Sequence, residues 1–163
     1  MVGTIDKMNH SVGLTVPYAT ELNGLVATFT LTEGATANVG DTEQSSEVTP
    51  NDFTNPVTYT LTAQDAVTTQ NWVVTVSKAA PSSAKEIISF RFEALNPPST
   101  GVINAGEHSI SIEVPFGTNV TALVPNIALS DFAIVSPASG VAQNFTNPVN
   151  YTVTAQDGTQ QIW

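Results

Sequence analysis

Phe53-Thr54-Asn55-Pro56-Val57-Thr58-Tyr59-Thr60-Leu61-Thr62-Ala63-Gln64-Asp65 returns as Phe145-Thr146-Asn147-Pro148-Val149-Asn150-Tyr151-Thr152-Val153-Thr154-Ala155-Gln156-Asp157. The stretches differ only at Thr58/Asn150 and Leu61/Val153. Self-similarity of this kind decides an architecture before any single residue does. Working outward, residues 3–17 align with residues 101–115 without a gap, pairing Ile5 with Ile103, His10 with His108, Ser11 with Ser109 and Val16 with Val114. Leu25-Val26 then falls on Leu123-Val124, and Leu31 on Leu129. The offset is 98 in this region and 92 at the quoted motif, so the first copy carries six extra residues (98 − 92), placed within residues 32–52. The chain is two copies of one module.

Each copy reads as short strands. His108-Ser109-Ile110-Ser111-Ile112-Glu113-Val114 alternates with period two and stops at Pro115, as Val12-Gly13-Leu14-Thr15-Val16 stops at Pro17. Residues 148–155 alternate in the same way and meet Asp157-Gly158, a pair suited to a tight hairpin turn. In the first copy Asp65 is followed by Ala66 and a longer turn, after which Trp72-Val73-Val74-Thr75-Val76 returns as the partner strand. Pro56 and Pro148 have no N–H for a ladder and should open their strands. Phe53 and Phe145, Tyr59 and Tyr151, Trp72 and Trp163 supply the large core side chains. No segment has helical spacing. The domains expected are residues 1–79 and 87–163, with a linker over residues 80–86, and the class is all-β, a duplicated sandwich.

Composition narrows the work such a chain can do. Among its 163 residues, 41% are hydrophobic and 11% charged, so it is not a solvated disordered segment. Four Lys and Arg against 14 Asp and Glu give a net charge of −10. Almost nothing is left to neutralise phosphates, so nucleic acid and anionic membrane surfaces are excluded as partners. Without Cys there is no disulfide, thiol nucleophile or thiolate metal site. No run of eighteen apolar residues and no N-terminal signal segment is present, so secretion would be encoded elsewhere in a longer precursor.

The pattern Ile88-Ser89-Phe90, Gly101-Val102-Ile103, Val114-Pro115, Thr118, Leu123-Val124, the Phe-Thr-Asn-Pro-Val-x-Tyr motif and Trp72-Val73-Val74-Thr75-Val76 resembles the immunoglobulin-like repeats of large cell-surface and secreted proteins of Bacteroidetes-type bacteria. The resemblance covers nearly the whole chain. It implies a β-sandwich serving as stalk, spacer or adhesive module, extracellular or on the cell surface, with no shared catalytic residues. Copy one departs from the pattern at Ala66 and in its insertion. A unit of this kind opens with a strand like residues 87–92 and closes with one like residues 73–76. Copy one therefore lacks its opening strand and copy two its closing strand, and each should expose an edge or groove that templates another strand. The plain explanation is an excerpt from a longer repeat protein; the sharp one is that neighbouring repeats or identical subunits complete each other head to tail in a filament.

No chemistry competes strongly with a structural role. His10-Ser11 and His108-Ser109 suggest a nucleophile and base, yet acyl transfer also needs an orienting acid and an oxyanion site. Asp65 and Asp157 each suit a turn, where Asp bonds its own backbone. Calcium is the best metal candidate, with Glu33, Asp41, Glu43, Glu47 and Asp52 clustered in copy one, but their spacing does not match the Asp-rich twelve-residue calcium loop, and a solvated acidic loop is the usual explanation. The expectation is therefore no cofactor and no catalytic residue. The reading is a non-enzymatic structural or adhesive module. The alternative is a carbohydrate-binding accessory module using Tyr18 and Phe116, the aromatics that follow the equivalent prolines Pro17 and Pro115, to contact surface glycans.

Overall fold

The structure is a computed structural model and describes residues 2–163. It is all-β, with no α-helix among the described residues, and divides into two compact units, Met1–Ala80 and Pro81–Trp163.

The first unit contains β1 (Thr4–Asp6), β2 (Ser11–Val16), β3 (Leu25–Val26), β4 (Thr36–Val39), β5 (Thr42–Glu43), β6 (Pro50–Asn51), β7 (Val57–Thr62) and β8 (Thr69–Lys78). Six of these make one sheet in the order β1-β2-β8-β7-β4-β5, and β3 pairs with β6. The long strand β8 is the spine: it runs antiparallel to β7 and parallel to β2. Its alternating Trp72, Val74 and Val76 turn inward onto Ala37, Phe53, Val57 and Tyr59, while Val73 and Thr75 face out. Period-two patterning thus converts directly into a one-sided core.

The second unit contains β9 (Ile87–Phe92), β10 (Ser99–Thr100), β11 (Val102–Asn104), β12 (Ser109–Ser111), β13 (Asn126–Leu129), β14 (Ile134–Ser136), β15 (Thr152–Thr154) and β16 (Gln160–Ile162), with a 3-10 turn at Val120–Ala122. Its sheets are β10-β9-β13, β14-β15-β16 and the hairpin β11-β12. Phe90, Phe92 and Ile127 from the first sheet share one core with Val153 from the second, with Tyr151 just before β15 and with Trp163 just beyond β16. Phe90 meets Phe92 and Tyr151 edge to face, at centroid distances of 5.7 and 5.4 Å, the arrangement favoured by the ring quadrupoles.

Two expected strands are shorter than the alternation suggests. β12 ends at Ser111 instead of reaching Val114, and β15 covers only Thr152–Thr154 of residues 148–155. Their counterparts β2 and β7 keep full length because β8 lies between them and bonds both. A pattern of side chains marks a potential strand, but ladder bonds need a neighbour. Pro56 directly precedes β7 rather than opening it. The segment expected as a linker is tied down in part: Ser82 N–H donates to Gln156 Oε1 and Ser82 C=O accepts from Asp157 N–H.

The hairpin turns follow the Asp logic. Asp157 accepts from the N–H and hydroxyl of Thr159, and Asp65 from Val67 N–H and from both groups of Thr68. The Thr hydroxyls foremost, then the backbone donors, hold both carboxyls below the usual Asp range. Gly158 has φ +85°, and Ala66 takes the same left-handed place at φ +57°, so the turn geometry persists where glycine does not.

Candidate functional site

A cavity lies in the second unit, beside the counterpart of Trp72. In the first unit, Tyr59 pairs with Trp72, and β8 then continues through Val73–Lys78 between β2 and β7. In the second unit Trp163 stands in Trp72's place. Its backbone N–H donates to Tyr151 C=O at 2.9 Å and its C=O accepts from Tyr151 N–H at 3.0 Å. His108 packs edge-on against it at 5.1 Å, as His10 does against Trp72 at 5.2 Å. Beside Trp163 lies a slot of about 560 Å³, lined by Phe90, Phe92, Ile110, Ile112, Val149 and Tyr151 among others. Both histidines pack edge-on against a tryptophan, each at φ +49°.

The tyrosines at the floor of each unit differ. Tyr59 hydroxyl accepts from Asn51 Nδ2, which also donates to Gln44 Oε1, and Gln44 belongs to the stretch that holds the insertion. The Tyr151 hydroxyl lines the slot, is buried and has no partner; it is the only such side-chain atom among the described residues. Burial pushes its pKa up to about 12. An unpaired buried hydroxyl costs roughly 1–3 kcal/mol. Tyr151→Phe should thus raise stability by about 1–2 kcal/mol in chemical denaturation, whereas Tyr59→Phe should lower it by about 1 kcal/mol. The same sign for both would show that the two hydroxyls are equivalent.

The aromatics expected to meet a ligand sit on equivalent turns. Thr20 N–H closes the Pro17 turn onto Pro17 C=O at 3.0 Å, and Thr118 N–H closes the Pro115 turn at 3.1 Å. Tyr18 and Phe116 occupy the second position of each, Tyr18 46% exposed and Phe116 fully exposed. Each unit therefore presents one ring, on a turn whose backbone is hydrogen-bonded.

A third exposed ring was not singled out by sequence reasoning. Phe132, 71% exposed, occupies the left-handed position (φ +65°) of the turn Ser130-Asp131-Phe132-Ala133, closed by Ala133 N–H onto Ser130 C=O at 3.1 Å. The same turn in the first unit is Thr32-Glu33-Gly34-Ala35, with Gly34 at φ +74° and the same 3.1 Å bond. Placing Phe132 against Gly34 at the offset of 98 was the available signal.

The acidic residues Glu33, Asp41, Glu43, Glu47 and Asp52 do not converge. Among the described residues no group of three or more His, Asp and Glu side chains could hold a metal ion. Asp52 is instead occupied by Thr54, whose hydroxyl and N–H it accepts.

Fold and surface together define a duplicated all-β module with solvent-facing rings on turns. The comparisons with known proteins carry this a step further. The family model described as SGBP, N-terminal matches residues 1–76 and again residues 87–163. The chain belongs to that family, once per unit. Among solved structures, a Bacteroides thetaiotaomicron chain with a provisional glycoside hydrolase name is 32% identical over 52% of this chain, with a TM-score of 0.44. The likeness spans 24% of that chain's own length. No curated protein matches.

Proposed function

We propose that the chain is a glycan-binding accessory module of a Bacteroidetes-type cell-surface protein, working outside the cell and without catalysis. The observation that carries this is the family match over both units, a family associated with surface glycan binding. The exposed rings agree with it: Tyr18 and Phe116 offer apolar faces to the C–H faces of a sugar, and their firm turns limit the ordering cost of binding. The −10 charge disfavours acidic polymers, so the ligand is a neutral glycan.

Affinity gel electrophoresis in soluble neutral polysaccharides tests the reading. Tyr18→Ala and Phe116→Ala should each weaken binding roughly three- to tenfold, as an aromatic contact of about 0.5–1.5 kcal/mol predicts. Both side chains are exposed, so stability should move by less than about 0.5 kcal/mol. Unchanged retardation in both variants would remove these rings from the ligand site.

A further inference from the structure

We propose that Phe132 and the outer face of the β14-β15-β16 sheet form a glycan-contact platform, specific to the second unit, for a neutral polysaccharide chain; this rests on the glycan-binding reading above. Ladder partners share a face, and so do alternate residues of a strand. The register Ile134↔Thr154↔Gln160 and Ser136↔Thr152↔Ile162 therefore puts these six side chains on one face, opposite the buried Val153. In the first unit the corresponding face carries Thr36, Thr62 and Thr69 with Asn38, Thr60 and Asn71, all polar. Among the differences between the two faces and the turn beside them, three bring in an apolar side chain: Gly34 becomes Phe132, Thr36 becomes Ile134 and Asn71 becomes Ile162. All three place an apolar side chain in solvent, at 71%, 69% and 57% exposure.

The turn shows that the aromatic is accommodated by a specific rearrangement. At Gly34 an added Cβ would lie 2.6 Å from Gln64 Cγ and 2.9 Å from Gln64 Cβ, so glycine is required while Gln64 sits there. The equivalent Gln156 has its amide oxygen bonded to Ser82 N–H at 2.9 Å. The position is thereby able to carry a side chain, although a left-handed φ is strained for phenylalanine and free for glycine. Strain retained under an exposed ring points to a use for the ring.

The chemistry of the face selects the ligand. β14, β15 and β16 contain no charged residue, and the polar groups left beside the apolar ones are the hydroxyls of Ser136, Thr152 and Thr154 and the amide of Gln160. Gln160 Nε2 donates to Thr154 Oγ1 at 3.2 Å, which leaves the amide oxygen for a sugar hydroxyl. Apolar patches with neutral donors and acceptors match the alternating C–H and hydroxyl surface of a pyranose chain, and offer no cation to phosphate or carboxylate.

Phe132→Gly in the whole chain tests this, since Gly34 shows that the turn accepts glycine. Wild type and variant are run in gels containing a soluble β-glucan, an α-glucan or a mannan, with polygalacturonate as acidic control, and their melting temperatures are compared. The expected result is at least tenfold weaker retardation of Phe132→Gly by the neutral glycan that wild type binds, together with a melting temperature equal or higher. Ile134→Thr, which restores the first unit's residue, should weaken binding by about threefold and covers the case of a misfolded glycine variant. Wild-type binding with both variants within twofold of it would overturn the platform while leaving the glycan reading intact. If wild type binds no glycan, both fall. Conversion of a wild-type dimer to monomer by Phe132→Gly, with glycan binding unchanged, would make the face a self-association surface and overturn the proposal.

Discussion

Extending the chain after Trp163 with Val-Val-Thr-Val-Ser-Lys, the sequence of β8 beyond Trp72, should raise the melting temperature of the second unit by about 10–20 °C. In the first unit this segment pairs along its length with β2 in parallel, its first two residues also pair with β7, and it turns Val74 and Val76 inward. Burying two valines contributes about 3–5 kcal/mol, and ladder bonds add roughly 1 kcal/mol each. A net gain of about 2–3 kcal/mol after the ordering cost of the strand corresponds to that shift, since 1 kcal/mol moves a domain of this size by about 4–8 °C. Differential scanning calorimetry reads the result. A version with Pro at the two central positions lacks the N–H groups and should give no gain. Equal melting of extended and unextended chains would mean that the slot is not a strand site.

Phe92→Ala should destabilise the second unit by about 3–5 kcal/mol. Phe92 is fully buried, meets Phe90 and Phe145 edge to face at 5.7 and 5.2 Å, and joins the core to the slot wall. Truncation removes the ring's transfer energy and enlarges a space that is already about 560 Å³. Urea unfolding should show the loss. A cost below about 1 kcal/mol would mean that the slot walls close over the gap, and that the open slot is soft. The Phe92→Ala cost and the strand gain should also couple, because both act on the same wall.

These outcomes depend on features that were legible to different degrees. The repeat, the all-β class and the alternation of β2, β7, β8 and β9 could be read directly, because period two along a strand is a local property. The Asp turns were equally local. The shortened β12 and β15 were not legible: whether Ile112 and Val149 join a ladder depends on a third strand, not on their own alternation. Nor was the contrast between Tyr59 and Tyr151, identical within the motif, since Asn51 and Gln44 sit outside it. Tyr18 and Phe116 were singled out by their place after proline, and both rings are solvent-exposed. Phe132 was missed because its meaning lies in a backbone angle and in a glutamine that bonds elsewhere in the second unit.

Glycan binding by the intact chain is the central claim, and isothermal titration calorimetry against a panel of neutral polysaccharides tests it most directly. The account predicts saturable binding to at least one neutral glycan and none to polygalacturonate. Heats no larger than dilution across the whole panel, from protein shown to be folded by calorimetry, would contradict it and leave a module whose work is purely mechanical.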